Sequence, residues 1–369
     1  MSEIEIYKKY KKIGDLGELA EQFLSKRNQS TLFHSKLASD KLFTNLKKLA
    51  EIEGKGSIDK KLSLISELLN SASGNEAKYI VRTLLSDLRI GVADGVLRDA
   101  IAEAFFPNEE MNERVERAYD ISNDYALVLE SASKGERELD KIAIVPGRPL
   151  KVMLPIKVTN IEEAFRICGK PAAIEHKYDG FRVLINKTEK GEIILFTRRL
   201  ENVTSQFPDI VEAIKTHVKG DSFILDSEAV GYDPKTKKYK PFEAISQRIK
   251  RKYNISKLQK ELPVEINVFD IIYYNRKIIA DLPFIERRKL IEKIIKPESF
   301  KIRPSFQLIV NEEKEALKFY EKALSLGEEG IMIKRLDTPY QAGRRVGFMV
   351  KMKPEVKDLD LVIVGAEYG

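Results

Sequence analysis

The chain is poor in the side chains that most often announce a functional site. It has one cysteine, Cys168, in 369 residues. A single cysteine excludes a disulfide framework and any four-cysteine zinc site. Its usual place is as a small core hydrophobe. The three histidines, His34, His176 and His217, are scattered and offer no metal-ligand spacing. No run of about 18 apolar residues occurs, which argues against a membrane span. The opening MSEIEIYKKYKK has no apolar signal core. These absences predict a soluble, cytoplasmic protein whose chemistry comes from lysine, arginine, aspartate and glutamate.

Those four residue types are abundant. They make up 33% of the chain and leave a net charge of +7, with a pI near 9.0. A basic balance suits a polyanionic partner without proving one. The weight of Lys, Glu and Ile is the bias seen in thermophile proteins. At about 100–200 residues per domain, the length predicts two or three domains. A hydrophobic content of 43% is enough to build real cores.

The organisation changes near residue 147. Before it, apolar residues recur at helical spacing, as in IDKKLSLISELL (58–69). Ser73 and Glu76 have the spacing of a capping box, and Ala77, Ile80, Val81, Leu84, Leu85 and Leu88 form one stripe after it. VPGRPLKVMLP (145–155) reads as a linker or extended entry. Beyond it, β-type runs dominate and helical stretches at 283–295 and 311–327 separate some of them. The expected architecture is an all-helical domain over 1–147, then an α+β domain with antiparallel sheets over 148–357. A new strand pattern, DLDLVIVGAEYG, begins at 358.

One stretch of the second half raises a chemical question. IEHKYDGFRVLI (174–185) places Lys177 two residues before Asp179-Gly180. Alone, it reads as a hairpin turn with an exposed lysine, because Asp-Gly is a strong hairpin signal. A nucleophilic lysine would need its amine deprotonated, cations to hold phosphate oxygens, and carboxylates to hold a divalent metal. Later strands supply such groups. Arg182 follows the Asp-Gly and Arg198 ends the run IILF. Glu228 follows FILDS, Phe269 and Asp270 lie in VFDIIYYN, and Glu329-Gly330 opens IMIK. Lys351 and Lys353 alternate in MVKMKP, on one face of a strand.

The ordered set KYDGFR, FTRRLEN, LDSEAV, VFDIIYY, EEGIMIKR and MVKMKP resembles the covalent nucleotidyltransferases, the polynucleotide ligases and capping enzymes. RRLENVTSQFPDI and YQAGRRVGFMVKMKP resemble ATP-dependent DNA ligases of the archaeal and eukaryotic replicative type. In the helical half, IGDLGELAEQ and AKYIVRTLLSDLRIGVADGVLRDAIAEAF are similar to that family's DNA-binding domain, which capping enzymes lack. The resemblance implies ATP and Mg²⁺ as cofactors, nicked duplex DNA as substrate, and a monomer. It makes Lys177 the residue that takes AMP from ATP before AMP passes to a 5′-phosphate and the 3′-hydroxyl seals the nick. It places Glu175 on the base side and Phe269 against adenine. Arg182 and Arg198 would hold ribose and phosphates, and Arg345, Lys351 and Lys353 would bind phosphate charge. Glu228 and Glu329 would bind the metal.

Bland alternatives stand beside these roles. Arg182 and Arg198 could be surface ion pairs, Glu228 and Glu329 ordinary strand-end charges, and Phe269 a core aromatic. The basic run QRIKRKYNISKLQK (247–260) could be a solvated face or a contact for DNA phosphates. Arg82, Arg89 and Arg98 pose the same choice. Phe105 and Phe106 resemble the paired aromatics of sliding-clamp-binding peptides, but the upstream glutamine is missing and core packing is the favoured reading.

Two positions depart from the family pattern: Phe181 after the Asp-Gly, and Ser227 between Asp226 and Glu228. The N-terminal domain reads as shortened, and 358–369 as the start of an OB-fold that does not follow. A chain of that extent is expected to bind ATP and nicked DNA weakly and to self-adenylate slowly. The competing readings are an RNA-directed nucleotidyltransferase and a non-catalytic DNA-binding fragment.

Overall fold

The computed structural model describes residues 3–26, 37–52, 54, 56–106, 108, 110–251, 253–354, 362 and 364–365. His34 and most of the strand expected over 358–369 lie outside the described residues. The chain divides between Asp94 and Gly95 into two compact units. No helix among the described residues is long and apolar enough to cross a membrane.

The first unit is helical: α1 (Glu3–Ile13), α2 (Leu16–Ser25), α3 (Ser39–Glu51), α4 (Ser57–Ser71) and α5 (Gly74–Leu84). Asp15 caps α2, accepting from the amides of Gly17 at 2.7 Å and Glu18 at 3.2 Å. Its other oxygen receives Arg82 Nη2 at 2.5 Å. Arg82 is therefore a buried tie between α5 and the start of α2. The Ser73–Glu76 capping box is present in both directions. The expected stripe is cut short, however. Ala77 and Ile80 are buried, but the helix ends at Leu84 and Leu85 and Leu88 are exposed. Positive φ angles at Ser86 (57°) and Arg89 (51°) break the helical path there.

The second unit opens with α6 (Asp94–Phe105), α7 (Glu110–Ser122), α8 (Tyr125–Ser133) and α9 (Glu136–Asp140). These pack around Ile101, Met111, Val115 and Val128. Phe106 is part of that core, whereas Phe105 is exposed. Arg98 pairs with Glu116 of the neighbouring helix.

Two sheets follow. The first has the order β1 (Leu154–Val158), β11 (Arg345–Met352), β10 (Gly330–Arg335), β2 (Ala172–Lys177), β9 (Gln307–Val310). The second has the order β4 (Ile193–Thr197), β3 (Phe181–Lys187), β5 (Phe223–Gly231), β6 (Val264–Tyr274), β7 (Lys277–Ile278), with β8 (Ile302–Pro304) alongside β6. Pairing is antiparallel apart from β1 with β11 and β6 with β8.

Strand alternation divides each sheet into two faces. In the first, Ile174, Ile331, Ile333, Val350 and Met352 pack with Phe165 of α10 (Ile161–Cys168) and Phe319 of α15 (Glu313–Ser325). In the second, Phe181, Val183, Leu225 and Ile266 pack with Ile210 of α11 (Pro208–His217) and Ile291 of α14 (Phe284–Ile294). The opposite faces meet through Met349, Leu184, Phe196, Ile224 and Ile272. Leu150, Val152 and Met153 of the expected linker are buried in this same layer. Burying those three side chains removes roughly 1.5–3 kcal/mol each of apolar exposure, so the segment is held as part of the domain.

The helices α12 (Phe242–Lys250) and α13 (Ile255–Glu261) carry the basic run. Arg248 in it is turned inward and fully buried. It pairs with Asp209 and donates to the carbonyls of Gln206 at 3.1 Å and Leu262 at 3.0 Å. That arginine is structural.

The expected hairpin at Asp179-Gly180 is not one. The strand β2 pairs with β10 and β9, whereas β3 pairs with β4 and β5. The segment Tyr178–Gly180 crosses from one sheet to the other. Gly180 is required there, since a Cβ on it would lie 2.4 Å from the Ala229 carbonyl oxygen.

Candidate active site

The faces that meet between the sheets also carry the charged residues. On β2, Glu175 and Lys177 alternate with the core-facing Ile174 and His176. Met332 of β10 lies opposite both Glu175 and Lys351, so three strands present one row of side chains. On the facing sheet, Arg182 and Glu228 are cross-strand partners on β3 and β5. Phe269 is the one partly exposed residue in the middle of the otherwise buried β6.

Lys177 forms an ion pair with Glu329, and Lys353 Nζ reaches the same carboxylate oxygen at 2.7 Å. The Glu329 amide donates to the Lys177 carbonyl oxygen at 2.9 Å, so backbone and side chains register together. Gly330 makes this approach possible: its φ is 144°, and a Cβ would lie 2.1 Å from the Met352 carbonyl oxygen. Burial opposes ionisation of Glu329, but hydrogen bonds and charge from Lys177 and Lys353 prevail and hold the carboxyl below its ordinary range.

Glu228 differs sharply. Its side chain has no hydrogen bond or ion pair among the described residues, and burial pushes its carboxyl up to about 8. Lys177 and Arg182 oppose that rise, while Asp226 and Glu329 add to it. Burial and the surrounding cations Lys177, Lys353, Arg198 and Arg345 lower the Lys351 ammonium below its ordinary value. Arg198, Arg345 and Lys351 make no ion pair among the described residues, and the two arginines are exposed. Here cations outnumber the acids that could neutralise them, so the cleft is built for an anion.

Arg182 is more constrained than a free phosphate-binding arginine. It holds Asp226 through Nε at 2.8 Å and Nη2 at 2.5 Å, and donates to the Met153 carbonyl at 2.7 Å. The Tyr340 hydroxyl donates to the same aspartate at 2.7 Å. The Phe269 ring lies 5.3 Å from the Arg182 guanidinium and 4.8 Å from Lys334 Nζ. Glu175, only 1% exposed, is held by Lys334 at 2.7 Å and by Gln307 Nε2 at 2.8 Å. Asp270 points away from the cleft into a two-pronged pair with the buried Arg287, at 2.7 and 3.0 Å.

The two departures from the expected pattern have local explanations. Ser227 donates to the Val183 carbonyl at 2.9 Å, which ties β5 to β3. Phe181 is buried with its ring 4.7 Å from that of Phe207.

Sequence reasoning gave no role to Lys334, Asp226 and Tyr340, although they lie in the runs EEGIMIKR, LDSEAV and YQAGRRVGFMVKMKP, and it passed over Gln307. Lys334 did carry a signal: it shares the parity of Met332 on a strand that is otherwise Ile-rich. Tyr340 opens the run YQAGRRVGFMVKMKP, but its partner carried no signal, because only the fold brings it to Asp226.

A family model described as "ATP dependent DNA ligase domain" matches residues 152–353, and one described as "DNA ligase N terminus" matches residues 1–102. The chain belongs to the ATP-dependent DNA ligase family. It is 48% identical over 367 residues to a DNA ligase of Nanoarchaeum equitans, covering 99% of this chain and 63% of that one. It is 40% identical over 366 residues to a DNA ligase of Thermococcus fumicolans, covering 99% and 64%. The chain thus spans just under two thirds of the length of these relatives. A solved structure named "Pmar-Lig_PreS3" shares the fold, with a TM-score of 0.52 at 17% identity over 94% of this chain and 73% of that one. The matched region 152–353 of this family member contains every charged cleft residue described above.

A divalent metal in this cleft would need oxygen ligands from its strands. Among the described residues no group of three or more His, Cys, Asp or Glu is placed to hold one. Magnesium, however, is commonly bound by one or two carboxylates together with substrate phosphates and water. The unpartnered Glu228 carboxyl beside the Glu329 carboxylate fits that mode.

Proposed function

We propose that this chain is the nucleotide-binding and self-adenylating part of an ATP-dependent DNA ligase acting on nicked duplex DNA. The observation that carries the reading is the Lys177 ammonium, held at a strand end beside Lys351 and Lys353 in a cleft with surplus positive charge. The α-phosphate of ATP is the anion this cleft takes. The Lys177 amine, after losing a proton, forms a bond to the α-phosphorus, and the bond from that phosphorus to the bridging oxygen of pyrophosphate breaks. AMP then passes from Lys177 to the 5′-phosphate of a nick. The 3′-hydroxyl displaces AMP to close the strand. Such transfer depends mainly on positioning and charge neutralisation.

Residues 148–357 serve as the adenylation domain and the helices of 1–147 as the DNA-contacting part. Glu175 and Phe269 form the base side of the pocket, and Arg182 supports it through Asp226. Arg198, Arg345, Lys351 and Lys353 hold phosphate charge. Glu228 and Glu329 would hold Mg²⁺, which would supply charge neutralisation at the phosphates. A sliding clamp is a weaker partner, because only Phe105 of the aromatic pair is offered at the surface. The test is mass spectrometry after incubation with ATP and Mg²⁺. One AMP gained on the peptide containing Lys177 supports the reading, and an unmodified peptide after exhaustive incubation overturns it.

A further inference from the structure

Lys334 is buried, yet it lies at the centre of the base side of the cleft. Its ammonium is 2.7 Å from Glu175 Oε2, 4.8 Å from the centre of the Phe269 ring and 4.7 Å from that of Phe284. It also reaches the Phe269 carbonyl at 3.5 Å. One cation thus spans β10, β2 and β6 and joins a carboxylate to an aromatic ring. Such a residue is costly to bury, and Phe269 and Glu175 together give it a reason to be there.

We propose that Lys334 is a positioning residue that makes the pocket read a 6-amino purine and reject a 6-keto purine. The proposal rests on the nucleotide-binding reading above. An ionised carboxylate only accepts hydrogen bonds. Adenine presents an amino donor at its 6 position, whereas guanine presents an acceptor there. Lys334 and Gln307 occupy one lone pair on each Glu175 oxygen and so prevent the carboxylate from turning. Arg288 Nη1 stands 3.9 Å from Glu175 Oε1, beyond hydrogen-bond reach, so each oxygen keeps a lone pair for a donor on the base. The contact from Lys334 to the Phe269 ring fixes the plane on which that base stacks. Loss of Lys334 frees both groups at once, and discrimination falls with them.

The test is equilibrium titration of the whole chain with ATP and GTP analogues carrying a methylene between the α- and β-phosphorus, which blocks covalent transfer. The wild type is expected to prefer the adenine analogue, and Lys334→Met to lose about tenfold or more of that preference. Glu175→Gln, whose amide can donate or accept, is expected to lose it as well. Because the 6 position is read by Glu175 and the Phe269 ring sets only the stacking plane shared by both purines, the double variant should discriminate no worse than Glu175→Gln alone. A folded Lys334→Met chain that keeps the wild-type ratio overturns the proposal, as does an additive double variant. Should Lys334→Met fail to fold, the double variant, in which no buried charge is left unpaired, carries the comparison against Glu175→Gln. A wild type that binds both analogues equally sinks this inference and leaves adenylation standing. A wild type that binds neither overturns both.

Discussion

Lys177 and Glu329 are joined twice, by an ion pair between their side chains and by a 2.9 Å hydrogen bond from the Glu329 amide to the Lys177 carbonyl. The first bond orients the amine and the second sets the register of β2 against the start of β10. Replacing Glu329 by Gln keeps the second and removes the first. AMP labelling of Lys177 by that variant is expected to fall about 10²–10³-fold, the scale of losing one preorganised electrostatic partner. Timed mass spectrometry of the intact chain measures it, and near-wild-type labelling would refute the role.

The Glu228 carboxyl, with no side-chain partner among the described residues and held up at about 8 by burial, would be drawn to its ionised form by a divalent cation bound beside it. Adding a chelator to the ATP reaction should stop labelling, and Mg²⁺ in excess should restore it. Glu228→Gln should need a much higher metal concentration for half-maximal labelling. A metal titration that is unchanged in this variant would remove Glu228 from the site.

Phe269 is partly exposed, with Arg182 and Lys334 both over its ring. Base stacking on an aromatic is worth about 1–3 kcal/mol. Phe269→Ala should therefore raise the KM for ATP by roughly 10- to 100-fold, since about 1.4 kcal/mol is tenfold in affinity. Steady-state labelling against ATP concentration reads this directly, and an unaltered KM would return Phe269 to the core.

His176 makes the fold acid-sensitive. Burial among Phe306, Phe319 and Tyr178 lowers its imidazole to about 4, with Arg303 and Lys322 adding to the effect. The unfolded chain titrates near 6.5, so between these values the unfolded state binds the extra proton. Stability contributed by neutral His176 is present above 6.5 and is lost as pH falls toward 4. The loss is on the order of 1–3 kcal/mol after solvent screening. His176→Leu should show a smaller drop in Tm between pH 7 and pH 4.5 than the wild type. Parallel Tm curves for the two would contradict it.

The Asp270–Arg287 pair concerns stability, not the cleft. Asp270→Ala strands a buried guanidinium, which costs about 3–5 kcal/mol. The urea midpoint should shift accordingly. A midpoint within error of the wild type would show that the guanidinium finds other partners.

Much of the candidate site was legible because strand-borne chemistry follows a period of two. Glu175 with Lys177, and Lys351 with Lys353, announce a shared face from spacing alone. Arg248 and Arg82 were not legible. A basic residue in a charged helix looks the same whether it faces water or a distant aspartate, and only the positions of Asp209 and Asp15 decided. The helix after Ser73 shows the reverse case: its start was written in the capping box, but its end depended on backbone turns at Ser86 and Arg89 that the apolar stripe does not encode.

By itself, the sequence determined the two kinds of half and the strand faces, and it singled out Lys177 as the candidate nucleophile, because these depend on local periodicity and on ordered motifs. The tertiary structure decided what Asp179-Gly180 does. A local rule makes Asp-Gly a hairpin turn, but hydrogen bonding sends β2 to β10 and β3 to β5. The turn becomes a crossing between sheets, and Lys177 stands where their inner faces meet. Strand partners far apart in sequence compete with the neighbouring strand for the same backbone groups, and the buried faces they create determine which pairing wins.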